Sequence, residues 1–255
     1  MIQNPIGFQT LVKRELKRTF SIINQVVWPP IVSTLLYVLV IGMSLGGRIQ
    51  ADTGIPYLAF LIPGLIMLTV IESSYAESSA SLFQHRFMNS IQELLTAPLS
   101  YLELVGGFIL GSLARALLLG NLLMLFLPVF TQRWPSNWLL YLLLMAAVSV
   151  LFSAIGLIMG LIAEKWDQIA IPQTFIFMPL IWVGGAFSPL ALMPAPLQLL
   201  ARFNPIFYVI DGFRYAILGV SEAPIWASLT VTLGLTAVSV WLVLTLFKRG
   251  YKLRA

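Results

Sequence analysis

The chain has 255 residues, of which 59% are hydrophobic and 10% are charged, and its mean hydropathy is +0.91. Soluble domains carry about 25% charged residues, and disordered chains have low hydrophobicity, so this composition excludes both classes. The sequence contains no cysteine and one histidine. Disulfides, thiolate metal sites and cysteine nucleophiles are therefore excluded, and the single histidine argues against a histidine-built zinc or haem site.

Long uncharged runs separate the charged residues along most of the chain. A helix needs about 20 apolar residues to cross the hydrocarbon layer, and lipid admits only helices or closed barrels as spanning structures. The runs are continuously apolar and do not alternate, which excludes barrel strands. We therefore predict an all-α membrane protein with six transmembrane helices, at residues 24–46, 56–79, 102–130, 138–163, 169–187 and 224–247.

The apolar segment 188–222 is interrupted too often by proline and glycine to form a seventh span. We predict short external re-entrant helices in this segment, before the last span. Asn204 followed by Pro205 is a typical helix start, and Gly219 is a typical helix end. An irregular external loop is the alternative.

Lysine and arginine are distributed unequally between the two sides that six spans would create. One side holds both termini and ten basic residues, which are Lys13, Arg14, Lys17, Arg18, Arg86, Lys165, Lys248, Arg249, Lys252 and Arg254. The other side holds Arg48, Arg133, Arg202 and Arg214. Since basic residues are enriched in cytoplasmic loops, both termini are predicted to be cytoplasmic. Topology thus accounts for the net charge of +5, and we predict no nucleic-acid partner. The first apolar run is too long for a secretory signal and shows no cleavage site.

Residues 6–23 predict an amphipathic helix. Its apolar positions are Phe8, Leu11, Val12, Leu16, Phe20 and Ile23, and the basic residues at 13, 14, 17 and 18 fall mostly on the opposite side. Such a helix lies in the membrane interface, with its basic residues among anionic lipid headgroups. A simple anchor that sets the topology is a compatible alternative.

The segment between spans two and three predicts a short cytoplasmic helix over residues 84–97, because Pro98 opposes its continuation. An apolar stripe runs along it, formed by Phe87, Ile91, Leu94 and Leu95. A helix with an exposed apolar face is suited to docking in a groove of a partner protein. The alternative is a helix packed on its own neighbours or on lipid.

Three ionisable residues, Glu72, Glu77 and Arg115, fall inside or near predicted spans. A charge at mid-bilayer costs on the order of 3 kcal/mol, so we predict that Arg115 pairs with Glu72 or with Glu77. A buried pair that fixes helix packing is favoured over a direct role in substrate binding.

Asp211 and Arg214 are three residues apart and therefore share one helical face. We predict that they pair at the external surface, in a structural role; an external gate is the alternative. Pairs of glycines with G-x-x-x-G spacing, at 42 and 46, 107 and 111, and 156 and 160, predict close helix packing, within the chain first and between copies second.

Two motifs resemble those of the ABC-2 family of ABC transporter permeases. Residues 93–100, Glu-Leu-Leu-Thr-Ala-Pro-Leu-Ser, are similar to the stretch that follows the family's second span. Residues 203–214, with Asn204-Pro205 and Asp211-x-x-Arg214, followed by Gly219, resemble its second signature. The preceding Phe187-Ser188-Pro189 with Pro194 resembles the family's proline-rich external stretch. The chain departs from the family at residues 87–89, where Phe-Met-Asn replaces frequent acidic and glycine residues.

The resemblance implies a permease subunit of an exporter in the bacterial inner membrane, working as a dimer with a cytoplasmic ATPase subunit in two copies. On this interpretation, residues 84–97 form the coupling helix, and Phe87, Ile91, Glu93, Leu94 and Leu95 contact the ATPase. The sequence has no G-x-x-x-x-G-K-[ST] phosphate loop, so ATP hydrolysis would reside in the partner. We therefore predict a transport subunit that is not itself an enzyme and binds no cofactor. The family allows drug-like, lipid or glycan and lipid-linked substrates.

Two other classes of function remain as alternatives. A secondary transporter driven by an ion gradient predicts more intramembrane carboxylates and symmetry between the two halves. A membrane enzyme needs clustered carboxylates for metal or acid–base chemistry. The tightest acidic cluster, Glu164 and Asp167 around Lys165, is better explained as a short cytoplasmic loop.

Overall fold

The computed structural model describes residues 4–42, 56–131 and 134–252, and all regular secondary structure in these ranges is helical. The helices are α1 (Pro5–Ser21), α2 (Ile23–Tyr37), α3 (Tyr57–Phe87), α4 (Ile91–Thr96), α5 (Tyr101–Met124), α6 (Phe126–Thr131), α7 (Trp138–Ile162), α8 (Trp166–Pro172), α9 (Met178–Val183), α10 (Ala195–Phe203), α11 (Pro205–Leu218) and α12 (Ile225–Lys248). Short π-helical turns follow α2 and α8, and a 3-10 turn at Leu190–Leu192 precedes α10. The predicted all-α class is confirmed.

Five helical segments of the described residues are long and apolar enough to cross a membrane. They are Ile23–Gly42, Tyr57–Phe87, Tyr101–Thr131, Trp138–Ile162 and Ile225–Lys248. The first was predicted to reach residue 46, and residues 43–46, including Gly46, lie outside the described residues. The second continues well beyond its predicted end at residue 79. The third is interrupted at Leu125, between α5 and α6, because Pro128 cannot donate a hydrogen bond to the Met124 carbonyl.

The predicted span 169–187 is helical but not regular. It consists of α8, a π-helical turn over Gln173–Phe177 and then α9. Pro172 and Pro179 both lack the amide hydrogen that a regular helix needs at these positions. The helical path ends at Val183, before Gly184 and the left-handed Gly185 (φ +79°). This segment is not among the five long apolar helices.

Helix α3 is the most buried of these five segments, whereas α2 and α12 are the least buried. Its serines are small enough for neighbouring helices to approach closely. Gly156 and Gly160 of α7 face this side of α3, and a Cβ atom on Gly156 would lie 2.6 Å from the Tyr75 carbonyl oxygen and 2.1 Å from Ser78 Oγ. The glycine pair at 156 and 160 therefore forms a contact within the chain, as predicted.

The substitution Gly156→Ala is expected to destabilise the fold, because its methyl group would force α7 away from α3. Overpacking of this kind costs about 1–3 kcal/mol. Gly234 of α12 is the matched control, because nothing lies within 4 Å of a Cβ atom at that position. Gly234→Ala is expected to be neutral or stabilising by about 0.5–1 kcal/mol. Thermal unfolding of the two purified variants measures the difference, and equal midpoints would contradict the close α3–α7 contact.

Hydrogen bonds between distant residues define the two ends of the bundle. At one end the Asn4 N–H donates to Glu103 (2.6 Å), Arg86 donates to the Gly160 and Ala163 carbonyls, and Lys252 pairs with Glu164. At the opposite end the Tyr57 hydroxyl donates to the Phe187 carbonyl, and the Ser136 N–H donates to the Ile217 carbonyl. Asn4 and Lys252 thus reach the same end, which we call the Asn4–Lys252 end.

Helix α1 packs along α5 at this end of the bundle. Cβ atoms on Gly107 and Gly111 would lie 2.5 Å from Leu11 Cδ2 and 2.7 Å from Glu15 Cβ. The buried face of α1 is Leu11, Glu15 and Thr19. Phe20 and Ile23 of the predicted apolar face take no part in this contact and are exposed, so the position of α1 in the membrane interface stays a prediction. The two glycines allow the α1 backbone to approach α5, and this contact selects the face that is buried.

The segment 188–222 forms helices α10 and α11. Helix α11 begins after Asn204 and ends before Gly219, as the sequence predicted. The Asn204 side chain accepts a hydrogen bond from the Ile206 N–H at the start of α11, and Gly219 ends this helix in a left-handed conformation (φ +75°). Asparagine at the N-cap, proline at the first helical position and glycine at the C-terminal end are favoured for these reasons. The alternative of an irregular loop is excluded.

Candidate coupling site and charge network

The predicted coupling helix over residues 84–97 is divided in two. Residues 84–87 form the last turn of α3, a turn covers residues 88–90, and α4 contains only Ile91–Thr96. Asn89 has a left-handed backbone (φ +55°), which asparagine adopts more readily than most residues do. The prediction of one continuous helix is therefore wrong.

The break also divides the predicted apolar stripe. Ile91 and Leu94 are only 6% and 9% exposed, because they pack in a cluster with residues of α1, α5, α7 and α12. Leu95 is half-buried and Glu93 is exposed. Phe87, however, is 66% exposed, and Met88 beside it is equally exposed.

Phe87 and Met88 are therefore the exposed apolar side chains of this segment, and we call residues Phe87–Asn89 the exposed turn. For Ile91 and Leu94 the structure favours the alternative of packing within the chain. Met88 lay off the predicted stripe, and the turn at Asn89 directs it outward.

Glu77 of α3 lies between two arginines. It accepts hydrogen bonds from Arg18 of α1 (2.5 Å), from Arg115 of α5 and from the Thr19 hydroxyl (3.2 Å). The sequence left Glu72 and Glu77 open as partners of Arg115, and the structure pairs Arg115 with Glu77. One buried carboxylate thus joins three helices, which fits the packing role favoured from the sequence.

Glu15, which the sequence analysis did not single out, extends this arrangement toward the Asn4–Lys252 end. Its carboxylate accepts from the Ser81 hydroxyl (2.7 Å) and lies 3.2 Å from Arg18 and 3.7 Å from His85 Nε2. Burial alone would raise the pKa of Glu15, but hydrogen bonds from His85 and Ser81 and the charge of Arg18 outweigh it and lower the pKa. Glu15 is therefore ionised at neutral pH.

Polar contacts connect the exposed turn with the interior of the bundle. His85 Nδ1 lies 2.9 Å from the hydroxyl of Ser90, the residue directly after the exposed turn, and its other ring nitrogen faces Glu15. From Glu15 the contacts continue through Arg18 and Glu77 to Arg115. We call Glu15, Arg18, Glu77 and Arg115 the charge network. Two carboxylates and two guanidinium groups make it neutral as a whole.

Asp211 and Arg214 lie inside the protein and not at its surface, so their predicted location is wrong. Both are at most 1% exposed, with Arg214 Nη1 3.9 Å from Asp211 Oδ1. Arg214 also donates to the Gly185 carbonyl (2.6 Å) and stacks 3.7 Å over the Phe60 ring. Asp211 accepts from the backbone N–H groups of residues 222 and 223. Arg214 is thus buried against α3, whereas Asp211 is buried against the segment that precedes α12. These contacts fit a structural role.

Comparison with known proteins gives the family. The family model described as "ABC-2 type transporter" matches residues 6–218. The chain belongs to the ABC-2 type transporter family.

This ABC-2 protein is similar to the inner membrane transport permease YadH of Escherichia coli (strain K12), with 33% identity over 250 residues and 98% of each chain covered. It is also similar to nodulation protein J of Sinorhizobium fredii (strain NBRC 101917 / NGR234), with 26% identity over 180 residues that cover 70% of this chain and 68% of that one. Nodulation protein J of Rhizobium leguminosarum bv. viciae is 25% identical over 189 residues, 72% of each chain.

Membership identifies the chain as a membrane component of an ABC transporter and confirms the resemblance seen in the sequence. The ABC-2 match contains the exposed turn, the charge network and the buried Asp211–Arg214 pair. A transport component needs helices that carry movement and sites that bind a substrate, and it does not require catalytic groups of its own.

Proposed function

We propose that this ABC-2 protein is the permease subunit of an ATP-driven exporter in the bacterial inner membrane. Two copies form the substrate path, and two copies of a separate ATPase subunit drive it. The chain crosses the membrane six times with both termini in the cytoplasm, and α8 and α9 supply the sixth crossing beside the five long apolar segments. Three observations support the proposal. They are the family, the relative named an inner membrane transport permease, and a sequence without the ATP-binding phosphate-loop motif.

The observation that carries the proposal is the exposed turn. Phe87 and Met88 project from the Asn4–Lys252 end, where the basic residues of α1 and of the end of α12 are found. Such an excess of Lys and Arg is typical of the cytoplasmic side. Two large apolar side chains with exposed polar neighbours, Asn89 and Gln92, fit the pattern of an anchor that enters a groove on a partner. The ATPase is the partner that the family requires.

The proposed mechanism uses α3 as the connecting element. This helix runs unbroken from Tyr57, which contacts the Phe187 carbonyl at the far end, to Phe87 in the exposed turn. Movement of the turn when the ATPase subunits close would therefore tilt α3 and, through Glu77, draw α1 and α5 with it. ATP drives this change only if it binds one arrangement of the complex more tightly than the other.

The substrate is proposed only by class, as a drug-like, lipid or glycan and lipid-linked molecule. A secondary transporter driven by an ion gradient would need intramembrane carboxylates that are free to titrate. Glu77 is held by two guanidinium groups, which leaves Glu72 for such a role in the described residues. The ABC exporter is therefore the better supported function.

Purification of the tagged chain from its native membrane in a mild detergent, followed by mass spectrometry of the intact complex, tests the proposal. We expect a complex of two permease and two ATPase chains, with the phosphate-loop motif in the ATPase sequence. Membranes in which the chain supports export but yields no nucleotide-binding companion, even after cross-linking, would contradict the proposal.

A further inference from the structure

A cavity of about 330 Å³ lies between α2, α3, α5 and the π-helical turn after α8. Its polar lining is formed by Ser33, Thr69, Glu72, Ser73, Arg115 and Gln173, and its other walls are proline, leucine and alanine side chains. Glu72 is the middle residue of the 31-residue helix α3, about 22 Å from either end of that helix. The cavity therefore places a carboxyl group far from both ends of the bundle.

Within the described ranges, no lysine or arginine forms an ion pair with Glu72. The Gln173 side-chain amide lines the same cavity beside the Glu72 carboxyl group. Arg115 also lines the cavity, but its guanidinium is paired with Glu77. Because the charge network is neutral as a whole, it contains no spare positive charge for Glu72.

A carboxylate at this depth is costly in lipid unless it is protonated or meets a cation. The volume is at the low end for small-molecule sites, so it suits a compact lipophilic ion or one end of a larger molecule. Helix α2, which forms one wall, is little buried by the rest of the chain. A molecule can therefore reach the cavity from the lipid or from the space between two copies.

We propose that this cavity binds the cationic group of a lipophilic molecule, with Glu72 as its counter-ion. The Gln173 amide orients the carboxylate, and the apolar walls hold the hydrocarbon part next to the charge. The inference rests on the proposed function for its transport role, because it assigns the substrate class as lipophilic cations. Binding itself does not require the ATPase.

The test uses two probes of nearly equal size and shape and opposite charge, tetraphenylphosphonium and tetraphenylborate. Each is titrated into the purified full chain in lipid nanodiscs, and binding is measured by equilibrium dialysis against empty nanodiscs. We expect saturable binding of the phosphonium and none of the borate. Glu72→Gln should weaken phosphonium binding about tenfold or more, since a charge contact in a low-dielectric cavity is lost. The isosteric control Glu164→Gln, on an exposed loop, should bind as the wild type does.

A second variant covers the case in which Glu72→Gln does not fold. Gln173→Lys keeps Glu72 but supplies an internal cation beside it, so phosphonium binding should fall to a similar extent. Equal binding of the two probes, unchanged phosphonium binding in either folded variant, or no saturable phosphonium binding by the wild type would each overturn the inference. Failure of the ATPase complex to form would overturn the proposed function and leave these binding results unaffected.

Discussion

Glu77→Gln is expected to prevent the chain from accumulating as a stable protein. The side chain keeps its shape but loses its charge, and two guanidinium groups then face each other around a neutral amide. Removing one partner of a buried ion pair costs about 3–5 kcal/mol, and folded domains have only about 5–15 kcal/mol of stability. Yield after membrane extraction and the midpoint of thermal unfolding in detergent measure the loss.

A double substitution separates the pairing from other effects. Arg115→Met alone should also be severely destabilising, whereas Glu77→Gln combined with Arg115→Met should be milder than the sum. Arg18 can then rely on Glu15, which lies 3.2 Å away, so the coupling energy is expected in the range of about 0.5–3 kcal/mol. Glu164→Gln breaks the exposed pair with Lys252 and should change stability by less than about 1 kcal/mol. A Glu77→Gln protein as stable as this control would show that the charge network does not hold the three helices together.

The second large effect concerns the exposed turn. Replacing Phe87 and Met88 together with serine is expected to abolish co-purification of the ATPase while the permease stays folded. Exposed side chains contribute little to stability, with typical changes within about 0.5 kcal/mol. Replacing Ile91 and Leu94 with serine should instead unfold the local cluster, because removal of a buried leucine or isoleucine side chain costs about 2–5 kcal/mol. Pull-down yield and thermal unfolding, measured on the same samples, distinguish the two outcomes.

Phe203→Ser provides the matched control for the exposed turn. Phe203 of α10 is also strongly exposed but lies outside the cytoplasmic surface proposed for docking. This variant should keep the ATPase at the wild-type level. Retention of the ATPase by the Phe87 and Met88 double variant, with loss only after the Ile91 and Leu94 change, would move the docking site onto α4.

The sequence was sufficient where helix boundaries depend on local signals. Helix α11 begins after Asn204 and ends before Gly219, because capping residues act within one turn of the helix end. The break at Asn89 was not predicted, because the sequence has no glycine or proline at that position to indicate a left-handed backbone. The contact of α1 with α5 was not predicted either, because Gly107 and Gly111, which allow it, lie about a hundred residues further along the chain.

The same distinction applies to the site. The cost of an isolated charge in lipid predicted a carboxylate partner for Arg115, but it could not choose between Glu72 and Glu77. Glu15 was not predicted as part of the charge network, because its hydrogen-bond partner Ser81 lies 66 residues away in the sequence. The spacing of Asp211 and Arg214 gave a shared helical face, whereas their burial depends on how α11 packs against Phe60 of α3 and against the segment that precedes α12.

Site-specific photo-crosslinking in living cells tests most directly whether energy enters through the exposed turn. Met88 is replaced by photoreactive benzoylphenylalanine, and Phe203 is replaced in the same way as a control. The account predicts a light-dependent adduct from position 88 with a protein that contains an ATP-binding phosphate loop, and none with that protein from position 203. An ATPase adduct from position 203 and none from position 88 would contradict it.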